Sequence, residues 1–188
     1  MPPRHPLPRL WLMTDERLGE GFWDALARLP RGAGVIFRHY ATPPAERRRL
    51  FDRVRRVARA RRLVLVLAGR PAQALAWHAD GVHSRSGERH GAPRLIRTAP
   101  AHSRTELIAA RRSGADLALL SPVYATRSHP GARTLGTIAF GRLAAGAGLP
   151  VVALGSMDAR RFRALRALGA YGWAGIDALV SDAPGVRT

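Results

Sequence analysis

Three side chains that could bind an anion stand close together in the segment SPVYATRSHPG, which spans residues 121–131. Thr126 and Ser128 carry hydroxyl groups, and His129 carries an imidazole. Hydroxyls and a protonated imidazole donate hydrogen bonds of the kind that hold phosphate oxygens. The same residue types also form turns, because Ser and Thr hydroxyls bond to their own backbone in loops. The segment therefore leaves two interpretations open, an anion-binding loop and a simple connection.

The basic residues available to such a site are all arginines. Lysine and arginine together number 31, and none of them is a lysine. Schiff-base chemistry and a lysine phosphate clamp are therefore excluded, whereas arginine can bind phosphate in a bidentate manner. There is also no cysteine, which excludes disulfides, thiolate metal ligands and a cysteine nucleophile. Because this composition fits a reducing compartment, we expect a cytoplasmic protein.

The formal net charge of +18 raises the question of nucleic-acid binding. The arginines are spread along the chain, and their densest run, residues 46–62, reads as one helix with a solvated face. We therefore expect no specific nucleic acid, only non-specific affinity for polyanions at low salt. No apolar run approaches the roughly 20 residues that span a bilayer, so neither a membrane segment nor a signal peptide is expected.

Short apolar segments alternate with helical patterns along the chain. The predicted strands are residues 10–14, 34–39, 63–68, 80–84, 94–99, 116–122, 150–155 and 171–176. Repeated βα units with apolar strands indicate a parallel sheet, and eight of them favour a (β/α)₈ TIM barrel over an open doubly wound sheet. The chain has 188 residues, so the barrel must be compact. We expect one domain over residues 1–188, with its core from about 10 to 179.

Local signals mark where several helices begin. Thr42 is a predicted N-cap, with Pro43 in the first turn of the second helix. Ser103 and Glu106 have the spacing of a capping box. Asp158 is a predicted cap for the helix that follows the seventh strand.

In barrels of this kind the active site lies at the carboxyl ends of the strands. The polar residues there are Thr14, Asp15 and Glu16; Arg38 and His39; Arg70; residues 83–88; His102 and Ser103; residues 126–129; Ser156; and Asp177. Several of them have structural alternatives. Arg38 could close an ion pair at the rim, and His83 could be a hydrogen-bonded wall residue. Thr14 and Asp15 could cap the first helix.

Seven segments follow one another in the order seen in a known family: LWLMTDE, GVIFRHY, ADGVHSRSGE, APAHSRTEL, GADLALLSPVYATRSH, PVVALGSM and GAYGWAGIDAL. Together they resemble thiamine phosphate synthase and its relative, the TenI-like thiazole tautomerase, over about residues 10–179. The resemblance implies a (β/α)₈ barrel of thiamine biosynthesis, a transferase that joins hydroxymethylpyrimidine diphosphate to thiazole phosphate. It also implies small phosphorylated substrates, release of pyrophosphate, and Mg²⁺ on the diphosphate. Ser121-Pro122 replaces the tautomerase's histidine segment, so the synthase is favoured.

The resemblance also implies roles for individual residues. The catalytic residues that contact the diphosphate would be Arg38, Thr126, Ser128 and His129, and Glu88 would be the Mg²⁺ ligand. The substrate-binding residues would be His102, Gly155, Ser156, Ile176 and Asp177.

The chain departs from the family's pattern at several positions. The family's Asn-Asp pair after the third strand is Ala68-Gly69 here, so one metal carboxylate is missing. Ile36 and Tyr40 stand at the Gln and the Lys of a Gln-x-Arg-x-Lys pattern. Asp177 replaces a serine of the phosphate pocket, where a carboxylate would repel a phosphate unless a cation lay between them.

Two functions of different classes are consistent with these observations. The first is a divergent synthase, which the order and spacing of the segments favour. The second is a barrel that has lost the chemistry and binds a phosphorylated or heteroaromatic ligand without turnover, which the replaced positions favour. A nucleic-acid binder acting through the arginine-rich helix ranks below both. The sequence leaves the oligomeric state open.

Overall fold

The strands form a closed parallel barrel in chain order. The computed structural model describes residues 6–85, 95–126, 131, 133–176 and 179. Within these ranges the strands are β1 Leu10–Met13, β2 Gly34–Phe37, β3 Val64–Ala68, β4 Gly81–His83, β5 Ile96–Ala101, β6 Leu117–Leu120, β7 Val151–Ala153 and β8 Gly172–Gly175. Each pairs with the next, and β8 pairs with β1. The predicted TIM barrel is therefore confirmed, and the open sheet is excluded.

Helices connect the strands on the outside of the barrel. They are α1 Gly21–Arg28, α2 Pro44–Arg61, α3 Pro71–Ala76, α4 Arg104–Arg112, α5 Gly136–Ala145 and α6 Ala159–Arg166, with a 3-10 turn at Glu16–Leu18. None of the helices in the described ranges is long and apolar enough to cross a membrane.

Two of the predicted caps are confirmed and one is wrong. The Ser103 hydroxyl accepts the Glu106 N–H, and Asp158 accepts the N–H of Arg161 at the start of α6. The second helix begins one residue later than expected, because Pro43 is its N-cap, with ψ of 144°, and Pro44 is its first residue. A residue that precedes proline avoids the helical region, so Pro43 cannot belong to the first turn.

Apolar side chains fill the barrel interior and the space between the strands and the helices. The interior set consists of Trp11, Met13, Ile36, Val66, Ala68, Leu117, Leu119, Val152 and Ala174. Trp11 is fully buried, and its Nε1 donates to Pro8 O at 2.8 Å. A Cβ on Gly34 of the neighbouring strand would overlap the Trp11 ring, so this layer requires a glycine there.

The arginine-rich helix α2 is only partly solvated. Arg49, Arg53 and Arg56 are exposed, as a solvated face requires. Arg47 is 8% exposed and lies on the same face as Phe51, which packs in the core. The predicted solvated face is therefore present, but it does not include Arg47, which has a structural role described below.

Candidate functional site

The carboxyl ends of the strands form one rim, and the polar side chains there lie in two groups. One group surrounds β1 and β2 and contains Asp15 and Arg38. The other follows β5, β6 and β7 and contains His102, Thr126 and Ser156. Because β2 and β6 are four places apart in the ring of eight strands, the two groups face each other across the mouth.

Asp15 joins two arginines at the first group. The β1–β2 register pairs Met13 with Ile36, and two residues further on it brings Asp15 beside Arg38. Arg17 binds Asp15 through both ends of the carboxylate, with Nε to Oδ1 at 2.7 Å and Nη2 to Oδ2 at 2.9 Å. Arg38 Nη2 reaches Asp15 Oδ2 at 3.3 Å. The hydrogen bond from Arg17, with a smaller contribution from the charge of Arg38, holds the pKa of Asp15 below its usual value.

Thr14, Asp15 and Arg38 are linked to one another and to their neighbours by hydrogen bonds. Asp15 does form a cap, but for the 3-10 turn, since it accepts the Arg17 N–H. Thr14 caps nothing; its Oγ1 accepts the Arg38 N–H at 2.9 Å and lies 2.8 Å from His39 Nδ1. Arg38 does close an ion pair at the rim, with Asp15. Its Nε is nevertheless buried and has no acceptor among the described residues.

The buried Arg47 fixes the backbone that carries Arg38. Its Nε and Nη2 donate to Arg38 O at 3.0 and 2.7 Å, and Nη2 also donates to Ala68 O at 2.8 Å. The guanidinium lies near the rings of Phe37, at 5.6 Å, and Trp77, at 5.4 Å. Burial lowers the pKa of this arginine. Arg47 therefore ties the end of β2 to the end of β3.

His83 is a wall residue of the barrel, as its strand pattern suggested. Its side chain is buried, and its Nδ1 lies 2.9 Å from Thr98 Oγ1. Thr98 Oγ1 in turn donates to Val82 O at 3.4 Å, so the imidazole Nδ1–H donates to the hydroxyl. Burial, helped by the charge of Arg38, lowers the pKa of His83 to about 4. His83 is therefore neutral near pH 7.

The second group consists of loops that are joined to one another. The Ser156 hydroxyl donates to Ala125 O at 2.5 Å, across from the loop after β7 to the loop after β6. The Arg161 guanidinium covers the Tyr124 ring at 4.8 Å and donates to Ser156 O. Gly155 has φ of +108°, and a Cβ there would lie 2.9 Å from Pro122 Cα. The Ser156 hydroxyl thus holds the two loops together.

The remaining predicted residues have different positions. His102 is exposed, and its Nδ1–H donates to Ser121 O at 2.8 Å, while its backbone N–H donates to Glu106. Thr126 lies in the loop after β6 and is partly buried. Ile176 packs against the interior cluster and is a wall residue. Ser128, His129, Glu88 and Asp177 lie outside the described residues, so their predicted roles stay predictions.

The described residues do not fit a protein-bound Mg²⁺. Ala68 and Gly69, at the end of β3, have no side-chain oxygen. Both oxygens of Asp15 are hydrogen-bonded to arginines. No group of three or more His, Asp or Glu side chains within the described ranges could hold a metal ion. Hard cations need several oxygen ligands, so the described side chains alone could not hold the ion.

The fold and the rim define a parallel βα barrel with arginine-based polar groups at the carboxyl ends of its strands. The family model described as thiamine monophosphate synthase matches residues 12–179. The chain therefore belongs to the thiamine monophosphate synthase family, which also includes TenI.

Individual relatives agree with this membership. The "Putative thiamine-phosphate synthase 2" of Aquifex aeolicus is 32% identical over 179 residues, which cover 90% of this chain and 96% of the relative. The thiamine-phosphate synthase of Methanoculleus marisnigri is 31% identical, over 92% of this chain and 88% of its own. The solved thiamine phosphate pyrophosphorylase of Pyrococcus furiosus has a TM-score of 0.76 and 26% identity, over 94% of this chain and 89% of its own.

Sequence reasoning does not single out Arg17 or Arg47. A signal for Arg47 exists, because it stands four residues before Phe51 and therefore on the buried stripe of α2. Arg17 has no such signal, since its importance depends on the contact between Asp15 and Arg38, which follow different strands.

Proposed function

We propose that this protein is a divergent thiamine-phosphate synthase that transfers the pyrimidine methylene group from diphosphate to a thiazole nitrogen. The observation that carries the proposal is the position of Arg38: within a chain that matches the family from residue 12 to 179, it stands at the barrel mouth. A guanidinium at this place can bind an anionic leaving group.

The proposed reaction exchanges one bond for another. The bond between the pyrimidine methylene carbon and the diphosphate oxygen breaks, and pyrophosphate leaves with the electron pair. The thiazole nitrogen donates its lone pair to the same carbon and becomes a thiazolium. Negative charge develops on the leaving oxygen, where preorganised cations and donors lower the barrier. Arg38 would supply a cation, and Thr126 would supply a further donor from the opposite side of the mouth. The predicted residues Ser128 and His129 would add two more donors.

The proposed role of Mg²⁺ depends on Glu88. Mg²⁺ would neutralise the diphosphate when bound, with substrate oxygens completing its coordination. If Glu88 holds the ion, Glu88→Ala should reduce turnover sharply, and added Mg²⁺ should restore part of it. Glu46→Ala, on the exposed start of α2, is the matched control. An unchanged rate in Glu88→Ala would remove the metal role.

A second candidate function is a barrel that binds a phosphorylated or heteroaromatic ligand without turnover. Ala68-Gly69 at the end of β3 favours it, because the oxygen ligands that the resemblance implies there are missing.

A turnover assay separates the two functions. The protein is mixed with hydroxymethylpyrimidine diphosphate, thiazole phosphate and Mg²⁺, and thiamine phosphate is followed with time. Product formation that Arg38→Met abolishes supports the synthase, with Arg56→Met on the exposed face of α2 as control. Binding of either substrate without product supports the binding barrel and refutes the synthase.

A further inference from the structure

We propose that Arg17, Asp15 and Arg38 form an anion-binding site. In the free protein Asp15 is the counter-ion of Arg38, and the site binds a diphosphate group directly, without a divalent cation. The proposal rests on the proposed function in placing the diphosphate at the same mouth. It adds two residues, Asp15 and Arg17, that the family resemblance does not assign.

The two arginines hold Asp15 unequally. Arg17 makes two short hydrogen bonds to the carboxylate, at 2.7 and 2.9 Å, and also donates its backbone N–H at 3.1 Å. Arg38 makes one contact, at 3.3 Å. A bidentate pair is stronger than a single long contact, so the contact to Arg38 breaks first when another anion arrives. Asp15 then stays neutralised by Arg17.

Burial makes this exchange favourable for an incoming anion. The Asp15 side chain is 8% exposed, Arg38 is 24% exposed and Arg17 is 52% exposed. Arg38 is therefore partly desolvated yet still reachable, and its Nε donor has no acceptor within the described part of the chain. A phosphate oxygen could satisfy donors that Asp15 leaves unmet. The two arginines and Asp15 together carry one net positive charge.

The neighbouring Glu16 provides an internal control. It lies in the same 3-10 turn, and its Oε1 accepts the N–H of Ala41 at 2.8 Å, whereas Asp15 accepts from both Arg17 and Arg38. Asp15→Asn and Glu16→Gln each remove one negative charge from the turn. Only Asp15→Asn removes the ion-pair partner of Arg38, and the asparagine can still cap the turn.

Calorimetric titration with inorganic pyrophosphate tests the proposal, in buffer containing EDTA at fixed ionic strength. We expect binding to the unaltered protein without metal. Asp15→Asn should tighten it about three- to fivefold, because the Asp15 carboxylate no longer competes for Arg38 through its single contact. Glu16→Gln should tighten it less. Arg38→Met should weaken binding about tenfold or more, because charge-assisted hydrogen bonds are lost.

Arg17→Met keeps the proposal testable if Asp15→Asn does not fold. With Arg17 absent, the whole Asp15 charge falls on Arg38, so pyrophosphate affinity should drop, whereas Arg56→Met should leave it unchanged. Three results would overturn the proposal: no binding in EDTA, binding only with Mg²⁺, or equal effects of Asp15→Asn and Glu16→Gln. Metal-free binding of pyrophosphate without turnover would support the anion-binding site and refute the synthase. Turnover together with strictly Mg²⁺-dependent binding would support the synthase and refute the anion-binding site.

Discussion

Replacement of Arg47 by methionine should destabilise the barrel far more than replacement of any exposed arginine on the same helix. Methionine keeps much of the apolar stem but removes every donor. The Arg38 and Ala68 carbonyls would then lose the three hydrogen bonds that Arg47 gives them, at 2.7 to 3.0 Å. The site is closed to solvent, since Arg47 is 8% exposed, so water does not readily replace the donors.

The size of the effect follows from these contacts. A buried carbonyl left without a donor costs about 1–3 kcal/mol, so two of them cost roughly 2–6 kcal/mol. Removal of a desolvated charge offsets part of this loss. We therefore expect Arg47→Met to reduce the free energy of unfolding by about 3 kcal/mol. Arg47→Lys keeps the charge but not the planar fork, and should lose about half as much.

Urea unfolding followed by circular dichroism measures both changes. Arg56→Met is the matched control, because this exposed arginine lies on the same helix, and such substitutions usually change stability by less than about 0.5 kcal/mol. If Arg47→Met costs no more than Arg56→Met, the tie between β2 and β3 contributes nothing and our reasoning is refuted. A lysine variant as stable as the parent would show that charge, not the fork, is what the site requires.

Three further predictions concern stability. Burial puts the pKa of His83 at about 4 rather than 6.5, so between these pH values the unfolded chain binds a proton that the folded barrel does not. The free energy of unfolding should therefore fall as the pH drops from 6.5 toward 4. Urea titrations of His83→Gln over the same pH range should show a smaller decrease in stability. Gly155→Ala forces a Cβ to within 2.9 Å of Pro122 Cα at positive φ and should cost about 1–3 kcal/mol in thermal unfolding, with Gly146→Ala as the control; an unchanged Tm would contradict the strain. Ser103→Ala removes the cap of α4 and should cost about 1 kcal/mol by the same assay; no loss would show that water replaces the hydroxyl.

The strand positions could be predicted from the sequence, but the places where the strands end could not. Each of the eight predicted segments overlaps a strand, because buried parallel strands are short and continuously apolar. The second was expected at residues 34–39 and ends at Phe37. Arg38 and His39 follow the strand and do not pair with β3, and φ at His39 is 40°. Both residues belong to the rim of the barrel. An apolar sequence does not show at which residue the hydrogen bonding between neighbouring strands ends.

The candidate site was predictable only in part, because its contacts depend on register. Arg38 could be located from its motif, but its partner Asp15 stands 23 residues earlier, just after the neighbouring strand β1. The pairing follows from the β1–β2 alignment, which a single sequence does not specify when both strands are apolar on both faces. The burial of Arg47 could not be predicted for a different reason. In a helix with so many arginines, the sequence does not distinguish a buried arginine from those on the solvated face.

The charges at the mouth differ from those that the resemblance implies, and they differ in both directions. Where the resemblance implies an Asn-Asp pair, Ala68-Gly69 takes a negative charge away from the end of β3. At the end of β1, Arg17 neutralises Asp15 and so leaves the charge of Arg38 largely uncompensated. Tyr40 in place of a lysine and Asp177 in place of a serine, as the resemblance aligns them, change the charge in the opposite direction. A site with fewer carboxylates attracts Mg²⁺ less and a diphosphate more, since the same charge terms act on both ions with opposite sign. The missing Asn-Asp pair therefore does not by itself argue against the proposed diphosphate chemistry, because the Arg38 guanidinium can bind an anionic leaving group.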